Sequence, residues 1–543
     1  MHLLDDEKMS RFLADGFLVL EPAELPGAYH REMFQAASDL YDEGRRFEGF
    51  AVHLHVFGDN VVARIPRIRE MITCPTVAGA LTSILGEYYV LHPHNYVHAS
   101  SRRDQGFHQD GNLPWNERGH YRSHRPLMAM LFYYPQEVTL DNGPTEVVPG
   151  TQYWTRDFEH GDRWHAADPI DRGFDADAGA DPDLERRDRR LRASVDSLGV
   201  ESLQPRRLPL SAGSVVLAHY DLIHRGTRQH PDFKGRRYLY KFYFASTREP
   251  TRPAWRNRAP RPDTAGVRPA IRPIVERNWA WMRGAPVTPP AANGVDPQPL
   301  VDASTEADRM EAAYLLGARA ASDDDALDTL ARGLTHERES VRRASGYGLG
   351  VAGARALETL YKAAGHDDPR TRRVATFAIG ETRTTDRRAA SVLADRLHDP
   401  DDFVRSNAAF ALGSLARRDT LPDAVVDTLL ERLDPGVESD NTHMLELHRS
   451  TVRENICYAL LQLTANGRLS DDRLLRFAER GLGDHDRYVR GLTTKALGQA
   501  AADAAPAWTR LLLAALDQDR FDAYPGATAP PPKDSAAATG GGV

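Results

Sequence analysis

The sequence predicts a two-part chain: a β-sandwich or jelly roll over the first 250 or so residues, then an all-α solenoid of stacked helical pairs. Two observations predict it. Short β-branched and aromatic runs punctuated by Gly and Pro fill the first part, and from about residue 302 one Ala/Leu/Arg-rich plan recurs. Between them, residues 251–301 are rich in Pro and Arg and read as an extended linker. At 543 residues the chain exceeds one ordinary core, so more than one domain is expected.

Asp5 or Asp6 can cap a first helix running to about Ala14, with Gly16 past its end and the strand "FLVL" following. "GEYYVLHPHNYVHAS" (86–100) has strand composition, and "PLMAMLFYYP" (126–135) is an apolar run of strand length bounded by prolines. "SAGSVVLAHYDLIHRGT" and "RRYLYKFYFAS" read as two further strands with a turn between. Residues 155–199 hold twelve acidic residues and eight Arg, too polar for a core of their own, and read as an inserted lid or loop.

"HERESVRRASGYGLG" (336–350), "HDDPRTRRVATFAIG" (366–380) and "HDPDDFVRSNAAFALG" (398–413) share one plan; "VRENICYALLQL" (452–463) and "DHDRYVRGLTTKALGQ" (484–499) follow it more loosely. An Asp-rich turn, a Val-Arg opening and Ala/Leu at helical spacing suit helical pairs that bury a shared core. The plan resembles the HEAT repeats, over residues 302–522. Residues 523–543 read as a disordered tail.

The net charge of −8 gives no basic footprint for nucleic acid. No run of 18 apolar residues predicts a membrane span. Two distant cysteines, Cys74 and Cys457, build no disulfide framework, which fits a reducing cytoplasm. Six of the 69 basic residues are Lys and 63 are Arg, a bias expected of a high-GC bacterial genome.

"GFHQDGNLPW" (106–115) carries the chemistry. On a strand, His108 and Asp110 share a face and can reach one ion, with Gln109 directed away. Imidazole with carboxylate suits Fe(II). The third ligand must come from a distant strand, and "GSVVLAHYDLIHRGT" offers His219 and His224. Arg236 and Arg237 follow at the start of the next strand. An oxygenase that uses 2-oxoglutarate needs that order: two imidazoles and a carboxylate on iron, and an Arg fork for the far carboxylate of the cosubstrate.

"DGFLVL", "FHQD", "NGPTEVVPGTQ" (142–152) and "AGSVVLAHYDLIHRG" with its following Arg together resemble the phytanoyl-CoA dioxygenase family, over about residues 1–250. The resemblance implies a double-stranded β-helix (jelly-roll) oxygenase domain that uses Fe(II), 2-oxoglutarate and O2. It implies His108, Asp110 and His224 as catalytic metal ligands, His224 closing an H-x-x-L-x-H pattern in which His219 is the neighbour. Arg236 matches the cosubstrate Arg best, with Arg237 its rival. Where many members carry a hydroxyl residue this chain has Gly226, so Thr227 is the substitute. Asp110 fills the position that related halogenases leave small, which favours oxygenation.

The expected activity is hydroxylation of a small molecule. Two alternatives stand beside it: a protein- or carrier-bound substrate recruited by the solenoid as a protein partner, and a non-catalytic adaptor. His53, His55, His92, His94 and His98 are read as structural, with Asn95 and Tyr96 as plausible pocket residues. His120, His124, His160 and His165 are read as solvated, Trp115 as packing, "ERRDRRLR" (185–192) as a solvated helical face and Cys457 as a buried inert thiol.

Overall fold

The computed structural model describes residues 1–44, 56–58, 61–110, 122–154, 181–196, 203–286, 295–303, 305–440, 450–500 and 510–511. His53, His55, Trp115, His120, His160, His165, most of the charged insertion and the C-terminal tail lie outside the described residues.

The first helix, Asp6–Asp15, forms as its caps dictate. The Asp5 carboxylate accepts from the Lys8 amide at 3.0 Å, and Gly16 (φ 82) ends the helix with its amide on Phe12 O. Strand β1 (Phe17–Leu20) follows. The others are β2 (Val56–Gly58), β3 (Tyr89–Ala99), β4 (Met128–Tyr133), β5 (Thr145–Val147), β6 (Arg206–Arg207), β7 (Val215–His219), β8 (His224–Gly226) and β9 (Tyr238–Ser246). They build two antiparallel sheets, neither closed: six strands in the order β1-β7-β4-β9-β3-β2, and three in the order β6-β5-β8. β4 is buried along its whole length, which explains its continuous apolar run. "SAGSVVLAHYDLIHRGT", read as one strand, splits after His219 into β7 and β8, which belong to different sheets.

β3 and β9 pair with a bulge. Leu91 faces Phe244 and Asn95 faces Phe242, so β3 carries two extra residues across His92–His94. Pro93 sits inside it, where its missing donor costs no ladder bond.

The Pro/Arg-rich stretch expected as an extended linker folds instead. It forms the helix Arg272–Met282 with buried Trp279 and Trp281, and Trp255 stacks edge-on against Trp279 at 5.0 Å. Trp255 Nε1 and Asn257 Nδ2 both donate to Asp6, at 2.7 and 2.8 Å, fastening this strap to the first helix. Its tryptophans, rather than its prolines, decide its structure.

Helices from Glu306–Ala320 to Arg487–Leu497 stack as a solenoid. The Val-Arg opening has a structural cause. Val341, Val404 and Val489 are fully buried. Arg372, Arg405 and Arg490 each donate to a carbonyl six residues upstream, at 2.9, 2.8 and 2.9 Å, closing the turn before the helix. Cys457 is buried beside Thr493, and burial raises its thiol pKa well above the ordinary value, so it is inert as expected. Among the described residues no helix is long and apolar enough to cross a membrane.

Candidate metal centre

His108 and His224 form an isolated antiparallel bridge in which each amide donates to the other's carbonyl at 3.0 Å. This pairing places the two imidazoles side by side, with ring centroids 4.6 Å apart. Asp110 lies two residues on. His108 Nε2 and His224 Nε2 stand 3.7 and 3.9 Å from Asp110 Oδ1, and one ligand atom from each of the three residues falls within 4.8 Å of the others. Gln109 points away and donates to the carbonyls of Trp154 and Asp221, at 2.9 and 2.8 Å.

The donor set fits a divalent ion. Each ring Nδ1 meets a backbone carbonyl, His108 on Gly106 at 2.8 Å and His224 on Leu222 at 2.9 Å, which fixes the tautomer and turns Nε2 toward the common centre. Burial and the nearby Lys241 ammonium push His224 down to a pKa of about 3, leaving it neutral as a ligand must be. Burial alone would raise the Asp110 carboxyl, but Lys241, His224 and His108 hold it well below the usual carboxylate range.

His219 is excluded from the cluster. It ends β7, stacks on Phe12, meets the Tyr153 ring edge-on, and its Nδ1 accepts from the Asp221 amide at 3.2 Å.

Strand parity separates the two arginines. On β9 and the residue before it, 237, 239, 241 and 243 point to the inner face, where the triad lies; 236, 238 and 240 point outward, Tyr240 donating to Met33 O at 2.6 Å. Arg236, the first choice from sequence, therefore lies toward the surface, bonded to Asp42 and Tyr238, both at 3.1 Å. Arg237 is buried, donates to Gly143 O, and lies over the Tyr134 ring. Thr227 is buried with its hydroxyl on Pro144 O at 2.5 Å. Gly226 shares the face of His224; a Cβ there would lie 2.8 Å from Gln105 Oε1, which accepts the Gly226 amide instead.

Two residues of the site were missed from sequence. Lys241 Nζ lies 2.7 Å from Asp110 Oδ2 and 3.2 Å from His224 Nε2, and the Tyr243 hydroxyl donates to Asp110 Oδ2 at 2.8 Å. Both occur in a run that reads only as a strand, and parity with Arg237 was the signal that could have found them.

The histidines read as bland divide. His94 and His98 share the inner face with Tyr96, which pairs directly with Lys241 across the strands. Burial, then Lys241, pushes His98 well below its ordinary pKa. His124 is buried rather than solvated: it stacks on Tyr347 at 4.0 Å, bonds Tyr314 at 2.7 Å, and burial lowers its pKa to about 3. In the helix Leu184–Asp196, Arg186 and Arg189 are exposed as expected, but Arg187 is buried against Asp104 at 3.4 Å.

Residues 15–237 match the phytanoyl-CoA dioxygenase (PhyH) family and residues 357–442 match HEAT repeats. No curated protein matches the chain. Among solved structures it is similar to EctD from S. alaskensis with bound Fe, at 16% identity over 44% of this chain and 76% of that one, TM-score 0.32. It is also similar to the non-heme alpha ketoglutarate dependent carbocyclase SnoK from nogalamycin biosynthesis, at 14% identity over 45% of this chain and 85% of that one, TM-score 0.32. A third is apo HygX from Streptomyces hygroscopicus, at 17% identity over 45% and 87%, TM-score 0.29. The chain thus carries a phytanoyl-CoA dioxygenase family domain at residues 15–237 and HEAT repeats within its helical C-terminal part.

Proposed function

We propose that this chain is a non-haem Fe(II)/2-oxoglutarate-dependent oxygenase that hydroxylates an unactivated C–H bond of a small molecule, on a jelly-roll domain braced by its solenoid. The observation that carries the reading is the triad: His108, Asp110 and His224 converge, with both Nδ1 atoms tied back to carbonyls so that both Nε2 atoms face one point. Iron, 2-oxoglutarate and O2 would together supply the oxidising chemistry, leaving succinate and CO2. The chain's own part is to hold and enclose. His108, Asp110 and His224 would bind the metal. Arg237, a buried fork beside Tyr134, would take the far carboxylate of the cosubstrate. Phe132, whose ring lies 5.5 Å from that of His224, keeps water from that side. The solenoid is already engaged with the oxygenase domain through Tyr347, Tyr488 and Arg417, which supports a bracing role over a recruiting one.

The test is anaerobic addition of Fe(II) and 2-oxoglutarate to the purified full-length chain. A visible charge-transfer band is expected, and it disappears in His108→Ala. Absence of the band in the unaltered protein would refute the reading, and succinate release across candidate small molecules would then narrow the substrate where the band is seen.

A further inference from the structure

A second polar centre lies where the oxygenase domain, the Trp-bearing strap and the solenoid meet. Its cavity is lined by Arg125, Arg277, Trp281, Tyr314, Tyr347 and Arg383, among others. Four guanidiniums gather here around two carboxylates. Arg125 bonds Glu381 at 2.7 Å and approaches Glu249 to 3.7 Å; Arg383 bonds Glu249 at 2.9 Å; Arg417 lies 3.4 Å from Glu249. Arg277 is the fourth, and among the described residues it donates to no acceptor, with only Arg125 and Glu381 as charged neighbours. Four positive charges against two leave an excess of two in a largely buried place, which is costly unless something offsets it.

Two further observations point the same way. The Nε of Arg383 is buried without a hydrogen-bond partner. Arg383 is also the one non-glycine with positive φ among the described residues, at 55°, just past the helix Pro369–Glu381. Its counterpart in the preceding repeat is Gly353, at φ 66. A helix end with positive φ is glycine's place, and a residue with a Cβ is strained there. The backbone is strained in the one repeat whose turn delivers a guanidinium to the cavity.

We propose that this junction binds a small oxyanion carrying two negative charges, a phosphate or a dicarboxylate, held by Arg277 and Arg383 with Arg125 behind them. The aromatic walls exclude water and strengthen the charge pairing. The site is separate from the triad but joined to it: Tyr347, on the cavity wall, donates to Arg122 O at 2.5 Å, and Arg122 donates to Asp110 O at 3.1 Å. An anion seated here would therefore bear on the backbone of a triad residue.

The test is calorimetric titration of the metal-free full-length chain with inorganic phosphate and, separately, succinate, at constant ionic strength. One saturable site is expected for at least one of the two anions, weakened about tenfold or more in Arg277→Met and in Arg383→Gly. Saturating anion should raise the melting temperature of the unaltered protein, and that rise should shrink in both variants. A merely structural ion pair to Glu249 predicts no anion-dependent rise in any of the three proteins. The proposal fails if neither anion saturates a site, if binding in both variants equals that of the unaltered protein, or if the anion raises the melting temperature of the variants as much as that of the unaltered protein.

Discussion

The Tyr488 phenol, in the helix Arg487–Leu497, hydrogen-bonds His94 of β3 and lies 3.3 Å from the Tyr96 hydroxyl. His94 in turn meets the Tyr243 ring edge-on at 5.1 Å, and Tyr243 bonds Asp110. The last described repeat is thus two side chains from the triad. Arg487 bonds both Tyr96 and Tyr488, at 2.8 and 2.7 Å, and tightens the contact.

Cutting the chain after residue 300 should therefore unfold the oxygenase part rather than release it. The cut exposes the faces of His94 and His124 and strips partners from Arg125 and from Ser246 O, which accepts from Arg417 at 2.6 Å. Near-ultraviolet circular dichroism of the fragment should lack the aromatic signal of the intact chain. A fragment with a native signal and an unchanged melting temperature contradicts this.

Arg237→Met should weaken 2-oxoglutarate binding by at least about tenfold, the loss of a bidentate charge-assisted contact. Arg236→Met should leave it within about twofold, since Arg236 pairs with Asp42 on the outer side. Titration of the visible band in each variant decides between them, and equal effects would mean that strand parity does not assign the cosubstrate arginine.

Lys241→Met should tighten binding of Co(II) or Mn(II) by about tenfold. The ammonium contacts Asp110 Oδ2 and competes with a divalent ion for the same carboxylate. Isothermal titration of the full-length protein measures the change. Weaker metal binding in the variant would show that Lys241 supports the ion instead.

Acid should loosen the junction through Glu249. Burial would raise this carboxyl, but Arg417, Arg125 and Arg383 hold it down at about 2. A depressed carboxyl stabilises the fold above its unfolded value, near 4.5, and that contribution is lost as pH falls from there through about 2. The amount is on the order of 3 kcal/mol. Chemical unfolding at pH 6 and at pH 3 should show a steeper loss for the unaltered protein than for Glu249→Gln, whose side chain does not titrate. Equal slopes would count against it.

The local part of this structure was legible and the tertiary part was not. Caps at Asp5 and Gly16, the apolar β4 and the Val-Arg turns follow from short-range rules, and the structure shows each of them. His108 and Asp110 were legible because the period of a strand puts i and i+2 on one side, and His224 joins them through its bridge to His108. The choice between Arg236 and Arg237 required knowing which face of β9 looks inward, and that depends on the opposing sheet. Lys241 escaped because a cation beside two metal-ligating histidines has no local signature. His124 looked solvated in its polar stretch, but tyrosines 190 and 223 positions away pack against it.

Gly491 packs against Pro93 so closely that a Cβ on it would lie 2.5 Å from the proline Cβ. The bulge in β3 is a notch, and the helix Arg487–Leu497 is the tongue that fits it. Solenoids ordinarily lengthen or shorten by whole repeats, because each unit touches only its neighbours. Here an added or deleted repeat would carry the tongue past its notch. The number of repeats in this chain is thereby locked to the geometry of one strand, and the two halves can change length only together.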